Sequence, residues 1–438
     1  MTLVLLVLLA DPGAADMARR TLTLDEALRL ATDQQPALRA ARAQRRALGA
    51  RTEQVRAAYY PRLDGQAQYQ RATANFLLSP SFAASPLAKN LIVNNKLSPA
   101  DTFNYYTLGL SAQAILYDFG KTGGAVEVAR AAEGAFGAEV GTSEDNVLSQ
   151  VRQAYFATLA AEELVTVAEQ ATANQERHTE QVRQFVSAGT RPKIDLTSAE
   201  LNLENQRLAL VRARNQRDLG RVQLAQAIGL ADEGFTLVAP PDAPLGEEVA
   251  PLDPLVEETL RRRPEGARLD AQLVSLNALR RQARSAYYPA LLAQANFSGA
   301  KVEDIDFGFN WLVGLGFQWS FYAGGVTRAQ LDESDAQAEA LTEQRSLLKQ
   351  TLRAELKRER LSIGEAKERI TVALRAVATA AERLRLAEGR YQAGAGTILE
   401  LDDAQIGAVR AAAERVTASY DLQTARARLL RALGRTRP

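Results

Sequence analysis

The sequence predicts a mainly α protein made of two tandem copies of one unit, each with a strand pair and a long antiparallel helical hairpin. Three observations carry this. The chain repeats itself: Ala58-Tyr59-Tyr60-Pro61 returns as Ala286-Tyr287-Tyr288-Pro289, 228 residues on, and Leu24/Leu252, Asp25/Asp253 and Pro36/Pro264 share that offset. Further on, Tyr117-x-x-Gly120 returns as Tyr322-x-x-Gly325 and Ala188-Gly189 as Ala393-Gly394, now 205 residues apart, so the first copy holds 23 extra residues between its landmarks. Finally, each copy contains a run of over 60 residues without Pro, ended by Ala-Gly and followed by a second helical run.

Each copy opens with a short amphipathic helix, Leu24–Leu28 in the first and Leu252–Leu260 in the second. Pro36 and Pro264 suit the first turn of the next helix, where a missing N–H costs nothing. That Ala/Arg/Gln-rich helix is expected to run to Tyr60 and Tyr288, where Pro61 and Pro289 stop it.

Past each stop the period changes to two. Leu63, Gly65, Ala67 and Tyr69 alternate with Asp64, Gln66, Gln68 and Gln70, and Leu108, Leu110, Ala112, Ala114 and Leu116 with mostly polar neighbours. In the second copy Leu291, Ala293, Ala295 and Phe297 form one face. The last strand is the clearest: Trp311, Val313, Leu315, Phe317, Trp319 and Phe321 face one way. Strands of about ten residues with one apolar face and aromatic ends suit a transmembrane barrel. A water-soluble sheet packed on one side fits the same alternation. The joining loops fall at about Phe76–Asn104 and Lys301–Phe307, and the longer one holds most of the 23-residue excess.

The long helices are expected at about Gly124–Val186 and Val326–Gln392, roughly 90–100 Å at 1.5 Å per residue. After each Ala-Gly, a C-cap signal, a second helix returns over Ile194–Ile228 and Leu399–Leu433. Ala, Leu, Gln, Glu and Arg in heptad-like spacing read as coiled coil.

The domain reading is therefore a leader at 1–18; a first repeat at 19–235, with a strand pair at about 62–118 and a hairpin at about 122–228; a linker at 236–251; and a second repeat at 252–438, with a strand pair at about 290–321 and a hairpin at about 325–433. Thr2–Ala10 and Gly13-Ala14-Ala15 resemble the apolar and cleavage regions of a secretory signal, without the basic n-region. The apolar run is far short of the roughly 20 residues of a membrane helix. Any membrane crossing must then be a β-barrel.

Composition narrows the function. A net charge of +1 gives no reason to expect a nucleic-acid partner. The absence of Cys removes disulfides, thiol catalysis, thiolate metal sites and a lipidated Cys. The single His, His178, lies in a long polar helix and is expected to be solvated; one His builds neither a His-rich metal site nor a conventional triad. No metal, no cofactor and no enzyme activity are expected.

Four strands cannot close a membrane barrel, for which about eight is the minimum. The chain must pool strands with copies of itself, and three copies give a 12-stranded β-barrel. The long coiled-coil helices would continue below it as a trimeric α-barrel, with polar residues lining a water-filled duct.

At this point the chain resembles the TolC-type outer-membrane efflux family. The likeness runs from about Leu22 to Leu433 and rests on Leu22-Thr-Leu-Asp-Glu-Ala-Leu28 with Pro36, the two Tyr-Tyr-Pro motifs, Tyr117-Asp-Phe-Gly120 and Tyr322-Ala-Gly-Gly325, and Ala188-Gly189-Thr190 and Ala393-Gly394. The resemblance implies a homotrimer in the bacterial outer membrane, surrounded by lipid, with most of the chain in the periplasm. It implies a periplasmic adaptor protein and an inner-membrane transporter as partners, and an exit duct for efflux or type I secretion gated at the helical tips. Drug, metal and protein cargo all fit. A coiled-coil scaffold with a small β-sheet, and no channel, is the alternative.

Glu400 and Asp403 are three apart and share one face of the returning helix. In a trimer they would form two stacked carboxylate rings, and by resemblance they match the family's constriction. Such acids also complement the dipole at a helix N-terminus. By resemblance Asp195 and Tyr391 belong to the polar contacts that hold the tunnel shut. The chain departs from the family pattern at Gly396, where the gating Arg would fall. Arg191, the repeat counterpart of Gly396, is expected to supply that charge through a contact with an acid; a solvated Arg in a turn is the plainer reading. The tips at Ala188–Pro192 and Ala393–Thr397, with Ala188, Gly189, Thr190, Ala393 and Gly394, are the expected adaptor-docking surface. Trp311, Val313, Leu315, Phe317, Trp319, Leu108 and Leu110 are the expected membrane-facing residues.

Overall fold

A computed structural model describes residues 20–73, 102–231, 234–241, 243–302 and 307–437. The expected leader at 1–18 and most of the loop at about 76–104 lie outside the described residues. The chain divides into two compact units: Met1–Arg45, Phe136–Leu269 and Gln344–Pro438 form one, and Arg46–Ala135 and Asp270–Glu343 the other.

In chain order the elements are β1 (Arg20–Leu22), α1 (Leu24–Gln34), α2 (Pro36–Arg56), β2 (Arg62–Thr73), β3 (Thr102–Tyr117), α3 (Lys121–Ser187), α4 (Lys193–Ile228), β4 (Phe235–Leu237), α5 (Leu252–Arg262), α6 (Pro264–Ser285), β5 (Ala290–Val302), β6 (Gly308–Gln318), α7 (Val326–Gln392) and α8 (Ile398–Ala432). No described helix is long and apolar enough to cross a membrane.

In the smaller unit, β2, β3, β5 and β6 form one four-stranded sheet in that order, antiparallel throughout. Register decides its chemistry. Leu110 lies opposite Gly65 on one side and Phe297 on the other, and Phe297 opposite Trp311; Ala112, Ala295 and Val313 form the next row. One face is therefore apolar across all four strands. The other carries Gln66, Gly109, Ser298 and Asn310 in one row and Asp64, Ser111, Asn296 and Leu312 in another. Among the described residues the apolar face is left open: Trp311 is 78% exposed, Phe317 78% and Val313 72%.

Three boundaries differ from the sequence expectation. β6 ends at Gln318, so Trp319 and Phe321 lie beyond it, ring against ring at 4.5 Å, with the Trp319 indole donating to the Tyr287 carbonyl at 3.1 Å. β3 begins at Thr102, inside the expected loop. α2 ends at Arg56 and a single 3₁₀ turn over Ala57–Tyr59 follows; Tyr60 is extended, as the residue before Pro61 should be.

The Tyr117-Asp-Phe-Gly120 motif is the joint from β3 into α3. Asp118 accepts from the Gly120 and Thr122 amides and so caps the helix. Phe119 and Gly120 take positive φ, 53° and 91°. Phe119 is held there by the Tyr117 ring at 4.7 Å and the Tyr288 ring at 4.8 Å. The second copy places Gly324 and Gly325 in the corresponding left-handed turn, with φ of 61° and 81°.

In the larger unit, α3 with α4 and α7 with α8 form the two hairpins. Four ion pairs set the register of the first. Glu162–Arg221, Glu169–Arg214 and Glu176–Arg207 step by seven residues along both helices, and Arg183–Glu200 continues the series with the charges exchanged. Three of them are exposed and weak alone, and Glu162–Arg221 is partly buried; together they specify one antiparallel alignment. The core at the far end of this hairpin gathers Leu22, Leu28, Leu148, Tyr155, Leu224 and Phe235. The fully buried Tyr155 hydroxyl lies 2.9 Å from the Leu22 carbonyl and 2.6 Å from that of Val238. It thereby ties together β1 and β4, a short parallel pair. Three-residue strands leave no periodicity to read, and the sequence gives no sign of this pair.

Candidate gate at the hairpin tips

Both hairpins turn the same way. Gly189 and Gly394 each have φ of 76°. The Thr190 amide reaches the Phe185 carbonyl at 3.0 Å and the Ala395 amide the Arg390 carbonyl at 2.9 Å, the six-to-one bond of a Schellman cap. Ala188, Gly189, Thr190, Ala393 and Gly394 are all exposed at these turns.

Behind the turns the two hairpins share a small core of Val182, Ala199, Ala387, Tyr391, Leu401 and Ala404. Tyr391, in the last turn of α7, is 2% exposed and donates from its hydroxyl to Asp195 Oδ2 at 3.3 Å. Asp195 sits in the first turn of α4 and is itself buried. The structure thus joins Tyr391 and Asp195 across the hairpin interface. Burial, and next the Asp195 charge, push the Tyr391 phenol up to about 12, so it stays a donor at every physiological pH.

Arg191 meets the same residue differently from the sequence expectation. Within the chain its guanidinium lies 4.3 Å from the Tyr391 ring centre and donates to the carbonyls of Tyr391 at 2.6 Å and Gly396 at 3.4 Å. It therefore caps the C-terminus of α7 rather than pairing with a carboxylate. The physical reason is that the last carbonyls of a helix have no intrahelical donor and carry partial negative charge.

His178 corrects the sequence expectation. Expected to be solvated, it is buried, with its ring edge-on to Tyr391 at 5.7 Å and Nε2 lacking a hydrogen-bond partner. Burial holds its pKa below the usual imidazole value. It lines a cleft of about 540 Å³ between the hairpins, together with Gln175, Gln181, Gln392 and Gln405. Its helix is polar overall, but His178 falls on the side of α3 that meets α7, and average composition hides that.

The acids of α8 separate into different environments. Asp403 is exposed. The Glu400 amide is capped by Thr397, and its carboxylate lies 3.3 Å from Arg390 Nε with both side chains substantially exposed. Asp402, which sequence reasoning left without a role, is the one packed inward. Its Oδ1 is sealed from solvent without a partner, and burial raises its pKa to about 6. The signal was present: Asp402 follows Ile398 by four residues, on the inward face.

Leu108, Leu110, Trp311, Val313, Leu315 and Phe317 lie together on the apolar face of the sheet, and Trp319 lies past its edge. Among the described residues no group of three or more His, Cys, Asp or Glu is arranged to hold a metal ion.

The sequence profile of the outer membrane efflux protein family matches residues 27–230 and 255–435. The pyoverdine export outer membrane protein OpmQ of Pseudomonas aeruginosa is 27% identical over 320 residues, which cover 70% of this chain and 65% of OpmQ, just under two thirds of its length. A membrane protein of known crystal structure from Pseudomonas aeruginosa superposes with a TM-score of 0.76 at 21% identity, covering 94% of this chain and 90% of that one. The outer membrane channel CmeC of Campylobacter jejuni superposes with a TM-score of 0.76 at 17% identity, covering 94% and 85%. With both repeats matched by the profile, the chain belongs to the outer membrane efflux protein family and is an outer-membrane protein with a large periplasmic portion.

Proposed function

We propose that this chain is one protomer of a trimeric outer-membrane exit duct, which passes cargo delivered by an inner-membrane transporter and is gated at the hairpin tips. The observation that carries this reading is the sheet: its apolar face is exposed, and among the described residues its edge strands β2 and β6 have no further strand beside them. Such a face suits lipid, and such edges demand partners. Three copies pool twelve strands into a closed barrel with the polar faces of the strands turned to its lumen. The two-repeat organisation, 19–235 and 252–438 joined at 236–251, gives each protomer two similar sides for its neighbours.

The helices supply a matching surface. Ile194, Leu201, Leu208 and Val222 recur on α4 at multiples of seven and are 66%, 63%, 48% and 45% exposed, a seam for a helix of the neighbouring copy. In the trimer Glu400 and Asp403 form rings of three at the constriction, attracting cations. The Tyr391–Asp195 bond and the Arg191 cap hold the hairpins of one protomer together while the duct is shut. Ala188, Gly189, Thr190, Ala393 and Gly394 present the surface for an adaptor's helical hairpin. The duct performs no chemistry on its cargo.

Sedimentation in detergent tests the assembly. The expected result is a particle of three 47.6 kDa chains that migrates as a folded oligomer and shifts on heating. A monomer soluble without detergent would support the coiled-coil scaffold instead.

A further inference from the structure

We propose that Asp402 is a proton-operated lock on the hairpin tips, tightening their contact when its carboxyl is protonated and loosening it when ionised; this deepens the gate reading above and rests on it. Asp402 lies on α8 between the buried residues Leu401 and Ala404, on the side that meets the first hairpin. Its Oδ1 is shut off from solvent with no hydrogen-bond partner. A buried carboxylate oxygen without a donor is costly as an anion.

The groups around Asp402 do not offset that cost. From α4 come Asn202, which donates to the carboxylate, and the acid Asp195. From α8 itself comes the acid Asp403. From α7 comes the Tyr391 hydroxyl, already committed to Asp195, and from α3 His178, which faces the Tyr391 ring. Arg191, the cation beside Tyr391, is held on that ring and on two carbonyls. The ionised Asp402 therefore faces Asp195, a like charge, across the α4–α8 contact. The protonated form removes that repulsion and adds a donor.

Burial, with the like charges adding to it, holds the packed carboxyl at about 6 against an ordinary value of 3.8. Packed tips therefore hold the proton more tightly than separated tips. The stabilisation is fully present below about pH 4 and is lost as pH rises through about 6, a change of about a hundredfold in the packed-to-separated ratio. His178 works in the opposite sense: burial disfavours its cation, so its protonation in acid loosens the same contact.

The experiment is hydrogen exchange on the purified full-length protein in detergent, followed from acid to neutral pH and corrected for intrinsic exchange rates. It would read the tip segments around Val182–Ala199 and Ala387–Ala404. In the wild type, protection at the tips is expected to fall by about tenfold between pH 5 and 7.5, while the core around Tyr155 stays constant. Asp402→Asn, neutral and close in shape, is expected to hold the protected level at all pH values, and His178→Phe to keep the step. A wild type without a step, or an Asn variant that retains it, overturns the proposal, and the wild-type arm stands even if a variant fails to assemble. Exchange reads tip packing and not conduction: a step in a protein that forms no channel would refute the duct and leave the lock.

Discussion

Removing one oxygen from Tyr391 should unlock the tips. Tyr391→Phe keeps the ring against His178 and Arg191 and deletes only the donor to Asp195. A hydrogen bond to a charged group contributes about 1.5–3 kcal/mol. The 3.3 Å separation places this one at the lower end, about 1.5 kcal/mol, and Asp195 is left buried without that donor. Each protomer's closed-to-open ratio then falls about tenfold. If three tips open together, the costs add to about 4.5 kcal/mol, or about a thousandfold in the open-to-closed ratio of the trimer. Open probability in planar bilayers measures this directly. An increase confined to about tenfold would indicate protomers that open independently. An open probability within about twofold of wild type, in a variant of unchanged trimer stability, would refute the claim that this bond holds the gate.

Other perturbations separate the sheet from the turns. Val313→Arg, on the apolar face of β6, should cost about 2–4 kcal/mol in lipid if it lies near the bilayer midplane. The loss would show as a reduced yield of folded trimer in the outer membrane; an unchanged yield would mean that this face does not meet lipid. Gly394→Ala meets no atom within 4 Å but must hold φ at 76°, so it should destabilise the second tip by about 1–2 kcal/mol on backbone grounds alone. Gly407→Ala, equally unobstructed but inside α8, should instead stabilise by about 0.5–1 kcal/mol. Thermal unfolding of the two variants compares them, and a loss at Gly407 as large as that at Gly394 would defeat the turn argument.

The sequence discloses what is periodic or repeated. The hairpins α3–α4 and α7–α8 were readable because sixty or more residues without Pro, ended by Ala-Gly, leave few alternatives. The sheet was readable because Trp311, Val313, Leu315 and Phe317 alternate against polar residues. What stayed hidden was set by pairing over distance. β1 and β4 are three residues each and exist because the Tyr155 hydroxyl holds their ends. The burial of His178 depends on which side of α3 faces α7, which a polar average conceals. Arg191 was expected to seek an acid, yet within the chain it donates to the carbonyls of Tyr391, in the last turn of α7, and of Gly396, just past it. Asp402 is hidden in the sequence by Glu400 and Asp403, whose spacing of three puts those two on one helix face. Its inward position was already given by Ile398 four residues earlier.

Single-channel recording of the reconstituted protein in planar bilayers is the most direct test of the duct itself. The account expects a small conductance, reduced by an added divalent cation, and a larger, cation-insensitive conductance in the double variant Glu400→Ala, Asp403→Ala. A wild-type protein shown to be folded and trimeric that forms no channel would contradict it.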